Sequence, residues 1–533
     1  MRKHNLDPIV IVLSVLFLLV IGVVILLVNT EDDIIPTVIP PYKEIECDSP
    51  KETFSTMDEY YSYFMPLLIS ERENRIKTGE DVSSFKKVER GFRKFCENKS
   101  LLSSPLYNCI LTGNPGINTN IKRVLNSILR SPITLLQGPP GTGKTYSTVN
   151  IIKNLLSIKK TNRILVCSPS NGSLIELKER YAASPIDDTS FSIYYSTSYT
   201  NEHPTVNDDP YNIKENINKG KSVSDYNIVF VTCTSIMDRM FENQTFDFII
   251  IDEASRCTEP ECILPLLCAK ESTNCLLVGD HMQLSPVIKR GEIKDCLGIS
   301  LFKRLRLLNS IPIFTLNVQF RMHPYLSRLS YPYFYQDIQI ADYDRDCIKE
   351  KCADWYIYKP NLADLMVDVY KRYNYSGIGP KVPRYFTNTW IDVKSKEKKE
   401  GDTYYHPQEA VETITLIENL LSTGEIQKNQ ITVLVPYHRQ IVELRNIASK
   451  YNRMGVLDGI QIYTIDSYQG RDNDIVILSL VRSNEKGDIG FIGELERINV
   501  ALTRAKFLLF VIGNKELFRT SPPYWSEIIN SHF

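Results

Sequence analysis

A glycine-rich segment near residue 140 has the residue types and spacing that bind phosphate groups. Residues 138–145 fit the pattern G-x-x-x-x-G-K-[ST]. Backbone N–H groups of such a loop wrap a nucleotide's phosphates, Lys144 reaches the β and γ oxygens, and the Thr145 hydroxyl ligates Mg²⁺. The sequence therefore predicts a site for a nucleoside triphosphate and Mg²⁺. Its predicted residues are Gly138, Pro139, Pro140, Gly141, Thr142, Gly143, Lys144 and Thr145.

Two carboxylates and one amide further along the chain supply other groups that phosphate transfer needs. Asp252 and Glu253 follow the apolar run FDFIII, as expected of a buried parallel strand that delivers acids to a site. Asp252 is predicted to hold Mg²⁺, and Glu253 to orient or deprotonate the attacking water. Gln283 comes just after a second apolar run, CLLVGD, where a neutral amide can sense the γ-phosphate without competing for the metal.

Apolar runs place these residues at strand ends in an α/β fold. Residues 133–136 are apolar before the phosphate-binding loop, and Val149, Ile152 and Leu156 recur on one face of the helix predicted after it. At 533 residues the chain is too long for one ordinary core, so two or three domains are expected. With 43% hydrophobic and 23% charged residues, it has the composition of a globular protein.

The charge balance excludes a bulk polycation. The net charge is −1, so any nucleic-acid binding must come from locally placed Lys and Arg. The closest group of cysteines, Cys257, Cys262, Cys268 and Cys275, lacks the paired spacing of a zinc site. Reduced thiols in a protein core are expected instead.

An apolar stretch near the start of the chain is long enough to cross a bilayer. Residues 9–28 are apolar except for Ser14 and Gly22, and about 20 helical residues span the hydrocarbon layer. A cleaved signal peptide is the alternative, but no clear small-residue cleavage site follows. We therefore expect a single-pass membrane protein anchored by residues 9–28. Arg2 and Lys3 weakly favour a translocated body, but the supply of nucleoside triphosphates favours a body facing the cytosol.

Four segments in the second half of the chain follow these motifs in order. They read VQFRMHP at 318–324, ITVLVPYHRQ at 431–440, YTIDSYQGRDND at 463–474 and RINVALTRAK at 497–506. With the phosphate-binding loop, they make residues 111–533 resemble superfamily-one helicases of the up-frameshift and senataxin kind. The resemblance implies two RecA-like α/β domains, residues 111–310 and 311–533, with ATP between them and a single nucleic-acid strand across both. Residues 1–30 are then the anchor, and 31–110 a tether and helical stalk.

The resemblance also implies nucleotide contacts from the second domain. Phe320 lies where the family has a ring that stacks on adenine, and Arg321 where a guanidinium meets the γ-phosphate. Arg504 matches the arginine finger, which reports whether the cleft between the domains is closed. Gly470 belongs to the family's QG element, and Asp472 replaces a glutamate, which shortens a ribose contact by one methylene.

Seven residues match the family's contacts with the nucleic-acid strand. Hydroxyl, amide and backbone groups at strand ends suit contacts with phosphate and sugar, which give affinity without reading the base sequence. The matching residues are Ser170, Asn171 and Thr232 in the first domain, and Pro436, Tyr437, Thr464 and Ser467 in the second.

The chain departs from the family pattern at several positions. Ile121 stands where relatives have an adenine-reading glutamine, and Arg256 where a glutamine often follows the sequence DEAS. Residues 50–110 look mainly helical, which leaves no room for the β-barrel that relatives often insert before the phosphate-binding loop. Residues 340–385 look like an insertion to which the sequence assigns no role.

The motifs and the resemblance predict an ATP-dependent helicase or translocase that moves 5′→3′ along single-stranded RNA or DNA. A membrane-tethered, ATP-dependent RNA clamp with little unwinding is the alternative, which the anchor and the short stalk favour. A small-molecule kinase would leave the ordered motifs of the second domain unexplained.

Overall fold

The first domain is built on one parallel sheet of seven strands. The computed structural model describes residues 54, 57–78, 80–96, 124–288, 293–308, 311–336, 338, 340–342, 359–374, 387–521 and 524–533. The strands are β1 Ile133–Gln137, β2 Ile164–Ser168, β3 Phe191–Ile193, β4 Ile228–Thr232, β5 Phe246–Ile251, β6 Ala269–Gly279 and β7 Ile313–Thr315. Their order is β3-β4-β2-β5-β6-β1-β7, with every neighbouring pair parallel. The predicted α/β fold is confirmed.

Helices cover both faces of this sheet. Alternate residues of β2 enter separate core clusters, Leu165 and Cys167 in one and Ile164 and Val166 in the other. Both faces are therefore buried, as parallel sheets require. The helices are α1 Met57–Lys77, α2 Ser83–Cys96, α3 Val124–Ile128, α4 Lys144–Ile158, α5 Asn171–Ala182, α6 Thr197–Glu202, α7 Ile213–Asn218, α8 Glu259–Ile263, α9 Lys294–Leu297 and α10 Leu301–Leu307.

The helices α1 and α2 are part of the first domain's core. Phe85, Phe92 and Phe95 are buried on one face of α2, and α1 and α2 share a core cluster with residues of the first sheet. The Tyr60 hydroxyl donates to a Glu259 carboxylate oxygen at 2.5 Å. These helices were expected to form a stalk within residues 31–110. The structure differs because their apolar faces complete the core around the first sheet.

The second domain is built on a parallel sheet of five strands. The described strands of this domain are β8 Val318–Gln319, β9 Ala341–Asp342, β10 Asn388–Asp392, β11 Lys398–Glu400, β12 Thr403–Tyr405, β13 Ile431–Val435, β14 Gln461–Thr464, β15 Asn473–Ser479 and β16 Ala505–Gly513. The order in the sheet is β10-β16-β15-β13-β14. The other strands form two smaller pairs, β8 with β9 and β11 with β12. Two parallel sheets of this kind fit two RecA-like domains.

Nine helices belong to the described part of the second domain. They are α11 Pro324–Ser327, α12 Tyr331–Phe334, α13 Pro360–Asn374, α14 Pro407–Ser422, α15 His438–Lys450, α16 Met454–Leu457, α17 Leu495–Leu502, α18 Lys515–Arg519 and α19 Tyr524–His532. Helix α13 lies within the predicted insertion, residues 340–385. Its Leu362 and Met366 are buried in the core cluster of the second sheet. At least this part of the insertion therefore serves packing.

The boundary between the domains lies later than expected. Strand β7 pairs with β1, for example through Leu135 and Ile313, and so belongs to the first sheet. The predicted boundary at residue 310 would cut this edge strand away. The structure therefore extends the first domain to at least Thr315, because a short strand gains its hydrogen bonds only from its neighbour in the sheet.

The expectation of a single-pass membrane protein requires correction. Within the residues that the structure describes, every helix is too short or too polar to cross a bilayer. The longest of these helices, α1, carries charges at Glu71, Arg72 and Glu73, which are costly in hydrocarbon. The predicted anchor, residues 9–28, lies outside the described residues. The predictions of a membrane localisation and a membrane contact are therefore withdrawn.

The two sheets present their site residues at different ends of their strands. In the first sheet, Asp252 follows β5 and Asp280 follows β6, both at the carboxyl edge. In the second sheet, Asp472 and Arg504 directly precede β15 and β16, at the amino edge. Pro436 follows β13 and so lies at the opposite, carboxyl edge. The residues predicted to contact nucleotide and those predicted to contact the strand therefore lie at opposite edges of the second sheet.

Candidate active site between two domains

The phosphate-binding loop runs from β1 into α4 through two glycines in left-handed backbone conformations. Gly141 has φ of 72° and Gly143 has φ of 81°, and Gly143 is the residue that caps α4. Glycine reaches such angles at little cost. Lys144 Nζ donates to the Gly138 carbonyl. A Cβ on Gly141 would lie 2.9 Å from the Arg321 Cβ, so the second domain touches the loop directly.

The remaining loop residues hold its shape and meet the second domain. The Thr142 hydroxyl donates to the Pro139 carbonyl at 2.8 Å, which closes a turn inside the loop. The Tyr331 hydroxyl, from α12, donates to the Pro140 carbonyl at 2.6 Å. Thr145 follows Lys144 in the first turn of α4. Tyr331 was not predicted, because no local pattern links it to Pro140, which is 191 residues away.

Asp252 is buried and has one carboxylate oxygen without a hydrogen bond in the described part of the chain. The side chain is 3% exposed, and its Oδ1 has no hydrogen-bond partner among the described residues. Burial first, and then the charge of Glu253, raise the pKa of Asp252 to about 7. A buried oxygen without a donor suits a hard cation, which prefers oxygen ligands. Asp252 thus fits the predicted role of a Mg²⁺ ligand, and the role of Thr145 stays a prediction.

Glu253 is oriented by its backbone and by one ion pair. Its φ of 53° is left-handed, a conformation uncommon for residues other than glycine. Its carboxylate pairs with Arg256 at 2.9 Å, so the arginine that departs from the family pattern contacts the proposed catalytic acid. A Cβ on Gly470, from the second domain, would lie 3.5 Å from Glu253 Oε1. The QG element therefore faces Glu253 across the interface between the two domains, which we call the seam.

Arg321 is held against the loop by a carboxylate of its own domain. Its Nε lies 2.7 Å from Asp472 Oδ2, and Lys506 Nζ lies 3.0 Å from Asp472 Oδ1. Burial favours a higher pKa for Asp472, but the charges of Arg321 and Lys506 outweigh it and hold the pKa below its ordinary value. Asp472 thus orients Arg321 in this structure. Its ribose contact stays a prediction.

Phe320 lies beside the phosphate-binding loop with its ring exposed. Its backbone N–H donates to the Gly141 carbonyl at 2.9 Å, and its side chain is 55% exposed. An exposed aromatic face beside a phosphate-binding loop can stack on a base. Ile121, where an adenine-reading group was expected, lies outside the described residues.

Arg504 is buried at the seam, with its guanidinium fixed by backbone carbonyls. It is 1% exposed, and it donates to the carbonyls of Val500 at 2.9 Å and Arg471 at 3.2 Å. Burial first, and then the charge of Arg321, lower the pKa of Arg504 to about 9. Charges at Asp472 and Glu253 act in the opposite direction. The structure therefore brings Arg504 among the other predicted catalytic groups.

Gln283 is fixed by an acid that the sequence analysis did not single out. Its amide donates to Asp280 Oδ2 at 2.6 Å, and the Tyr335 hydroxyl donates to the same oxygen at 2.6 Å. Asp280 directly follows the buried strand β6, as Asp252 follows β5, and that parallel could have revealed it. Tyr335 carries no such signal.

The predicted strand-contact residues of the first domain lie at the carboxyl edge of its sheet. Ser170 caps α5, and its hydroxyl accepts from the Ser173 N–H at 3.3 Å. Asn171 Oδ1 is buried and has no hydrogen-bond partner among the described residues. The Thr232 hydroxyl donates to Ser235 at 2.7 Å. Among these three side chains, Asn171 thus has a buried oxygen that makes no hydrogen bond within the described residues.

The corresponding residues of the second domain follow β13 and β14. Pro436 and Tyr437 are buried, and the Tyr437 hydroxyl accepts from Arg482 at 3.4 Å. The Thr464 hydroxyl donates to the Ser467 hydroxyl at 2.9 Å, and Ser467 is exposed. Ser467 therefore reaches the surface, whereas Tyr437 is engaged within the domain.

A buried carboxylate near this edge is expected to give the second domain a pH-dependent stability. Glu409, in α14, accepts from the Ser479 hydroxyl at 2.7 Å and the Val481 N–H at 2.8 Å, and burial raises its pKa from 4.5 to about 8. Because the folded pKa is the higher one, this stabilisation is complete below about pH 4.5 and is lost as the pH rises through 8. Glu409→Gln should flatten the fall in unfolding free energy between about pH 5 and pH 8, measured by urea titration. An unchanged pH profile would contradict this.

Comparisons with known proteins agree with this arrangement. A protein-family model described as an AAA domain matches residues 116–198 and 197–290, and a second model with the same description matches residues 297–516. These matches cover both parallel sheets.

Curated relatives cover most of this chain, but the chain covers only part of them. The ATP-dependent helicase NAM7 of Saccharomyces cerevisiae is 29% identical over 84% of this chain and 48% of its own length. The ATP-dependent helicase upf1 of Schizosaccharomyces pombe is 27% identical over 82% of this chain and 50% of its own length. The regulator of nonsense transcripts 1 homolog of Arabidopsis thaliana is 27% identical over 84% of this chain and 38% of its own length. The chain thus spans about half the length of these relatives or less. Over most of its length the chain is thus similar to proteins named ATP-dependent helicases or regulators of nonsense transcripts, and to two protein-family models described as AAA domains.

Proposed function

We propose that the chain hydrolyses ATP to move along single-stranded RNA or DNA, with 5′→3′ polarity, as a helicase or translocase. The observation that carries the proposal is that two domains meet on one phosphate-binding loop. Arg321 lies against Gly141, and Gly470 lies against Glu253. Groups that must act on one triphosphate are thus supplied from both sides of a seam that can open and close.

Each catalytic group has a separate role in the proposed cycle. Lys144 binds the β and γ oxygens, and Glu253 orients and accepts a proton from the attacking water. Arg321 and Arg504 stabilise charge that develops on the transferred phosphoryl group, and Gln283 senses its presence. Asp252 and Thr145 would hold Mg²⁺, which would supply positive charge beside the phosphate oxygens.

In the proposed cycle, movement along the nucleic acid depends on two separate sets of strand-contact residues, one in each domain, which we call the two grips. Ser170, Asn171 and Thr232 belong to the first domain, and Thr464 and Ser467 to the second. When the seam closes around ATP, the two grips approach one another, and hydrolysis lets them separate. Binding that alternates between the grips would then move the strand in one direction.

The proposed function is tested by ATPase and strand-displacement assays on the full chain. We expect turnover that single-stranded RNA or DNA stimulates, and about a 10²- to 10³-fold loss of that rate in Lys144→Ala. A duplex with a 5′ overhang should be displaced faster than one with a 3′ overhang. Near-normal turnover in Lys144→Ala would refute the assignment. Turnover without displacement would instead support a clamp.

The strand grip makes a further prediction at Asn171. Its unpartnered acceptor lies at the proposed nucleic-acid edge, so Asn171→Ala should weaken binding of a fluorescent single strand by roughly 2- to 12-fold, as expected for one lost hydrogen bond. Fluorescence anisotropy measures the change. Asn154→Ala is the control, because Asn154 is an exposed residue of α4. Equal affinities for wild type and Asn171→Ala would remove Asn171 from the grip.

A further inference from the structure

We propose that Tyr335 is a positioning residue that joins Gln283 and Arg504 through one hydrogen-bonded network across the two domains. The inference rests on the proposed function, since it assigns a role within ATP hydrolysis. It adds a residue that is not among the predicted catalytic, nucleotide-binding or strand-contact residues.

The first half of the network fixes Gln283. Asp280 Oδ2 accepts from both Gln283 Nε2 and the Tyr335 hydroxyl, each at 2.6 Å. Asp280 Oδ1 accepts from the Met282 N–H at 3.2 Å. The carboxylate therefore holds the side chain of Gln283, and Tyr335 holds the carboxylate from the other domain.

The second half ties Tyr335 to helix α17. Asn499 Nδ2 donates to the Tyr335 oxygen at 2.8 Å and to the Met282 carbonyl at 2.7 Å. Asn499 Oδ1 accepts from the Ser330 hydroxyl at 2.7 Å. Tyr335 thus donates to one domain and accepts from the other, so its single hydroxyl joins both halves.

The network continues from Asn499 to the arginine finger. The Thr503 hydroxyl donates to the Asn499 carbonyl at 2.7 Å, and Arg504 Nη2 donates to the Thr503 hydroxyl at 2.8 Å. An unbroken series of hydrogen bonds therefore connects Gln283 with Arg504. Both ends are groups proposed to meet the γ-phosphate.

Burial makes this series sensitive to the loss of one member. Asp280, Gln283, Tyr335, Asn499 and Thr503 are each at most 4% exposed. In such surroundings, a polar atom that loses its partner finds no water to replace it. Removing the Tyr335 hydroxyl would take one of two donors from Asp280 Oδ2 and would leave an N–H of Asn499 without its acceptor. The two segments that the network joins, residues 281–284 and 495–504, should then become less rigid.

Tyr335→Phe is the informative substitution, because it keeps the ring and removes the hydroxyl. We expect kcat for stimulated ATP hydrolysis to fall roughly 5- to 100-fold, while KM for ATP changes less than about threefold. In a Gln283→Ala background the same substitution should cost little more, because both changes break one network. Tyr333→Phe is the matched control, since Tyr333 is a buried neighbour in α12 whose hydroxyl takes no part in the network.

Hydrogen exchange without nucleotide tests the network separately from hydrolysis. Tyr335→Phe should speed amide exchange in both 281–284 and 495–504, and Tyr333→Phe in neither. Exchange that changes only around 331–335, or equal effects of both variants, would overturn the inference. If the wild type has no ATPase, the proposed function fails, and the exchange result alone then decides whether Tyr335 joins the two segments.

Discussion

Arg504→Ala should lower the rate of nucleic-acid-stimulated ATP hydrolysis by about 10³- to 10⁵-fold. An arginine supplied by the second domain neutralises charge that appears only as the phosphoryl group transfers. The loss should therefore appear in kcat, with nucleotide affinity changed far less. A phosphate-release assay with saturating single strand measures the rate, and titration with a fluorescent nucleotide measures the affinity.

Burial of Arg504 requires a control for folding. Its guanidinium is bonded to the carbonyls of Val500 and Arg471, and truncation would leave both without that donor. Arg504→Lys keeps a charge but loses the planar, branched donor set, so it should remain well below the wild-type rate. Thermal unfolding of each variant shows whether the fold survives. A folded Arg504→Ala that hydrolyses ATP within tenfold of wild type would exclude the finger role.

Glu253→Gln should produce a protein that binds ATP but hydrolyses it about 10²- to 10⁴-fold more slowly. The amide has the shape of the carboxylate but does not accept the proton of the attacking water. Loss of the negative charge also weakens the pair with Arg256. Single-turnover hydrolysis separates this chemical defect from slow product release.

The matched control for Glu253→Gln is Asp247→Asn, on the same strand. Asp247 lies near the amino end of β5 and pairs with Lys270 on the outer surface, away from the phosphate-binding loop. It should keep the wild-type rate. Wild-type turnover in Glu253→Gln would show that another group accepts the proton.

Local motifs predicted the parts of the site that a few adjacent residues determine. The phosphate-binding loop is set by glycines and a strand–loop–helix pattern within one segment, and the acids Asp252 and Glu253 follow a recognisable buried strand. The order of the later motifs indicated a second α/β domain, and the structure has one.

Contacts between distant segments could not be predicted in the same way. Tyr335 and Asn499 are 164 residues apart, and Asn499 reaches Met282 across 217 residues. These hydrogen bonds form only because of the way in which the two domains pack, and no local spacing in the sequence predicts that packing. The prediction of a stalk, by contrast, could have been avoided from local sequence, since Phe85, Phe92 and Phe95 recur at helical spacing. That periodicity indicates a packed face, and it could have placed α2 in the core.

In the proposed cycle, the second sheet connects the edge that contacts nucleotide with the edge that contacts the nucleic-acid strand. At about 3.3 Å per residue, β13 and β15 are roughly 17 to 23 Å long. They separate the amino edge, with Asp472 and Arg504, from the carboxyl edge that follows β13. Hydrogen bonds along the whole sheet resist shear between neighbouring strands. A displacement of one edge should therefore rotate the whole sheet and so move the other edge. Substitutions in surface loops should leave the size of that movement unchanged.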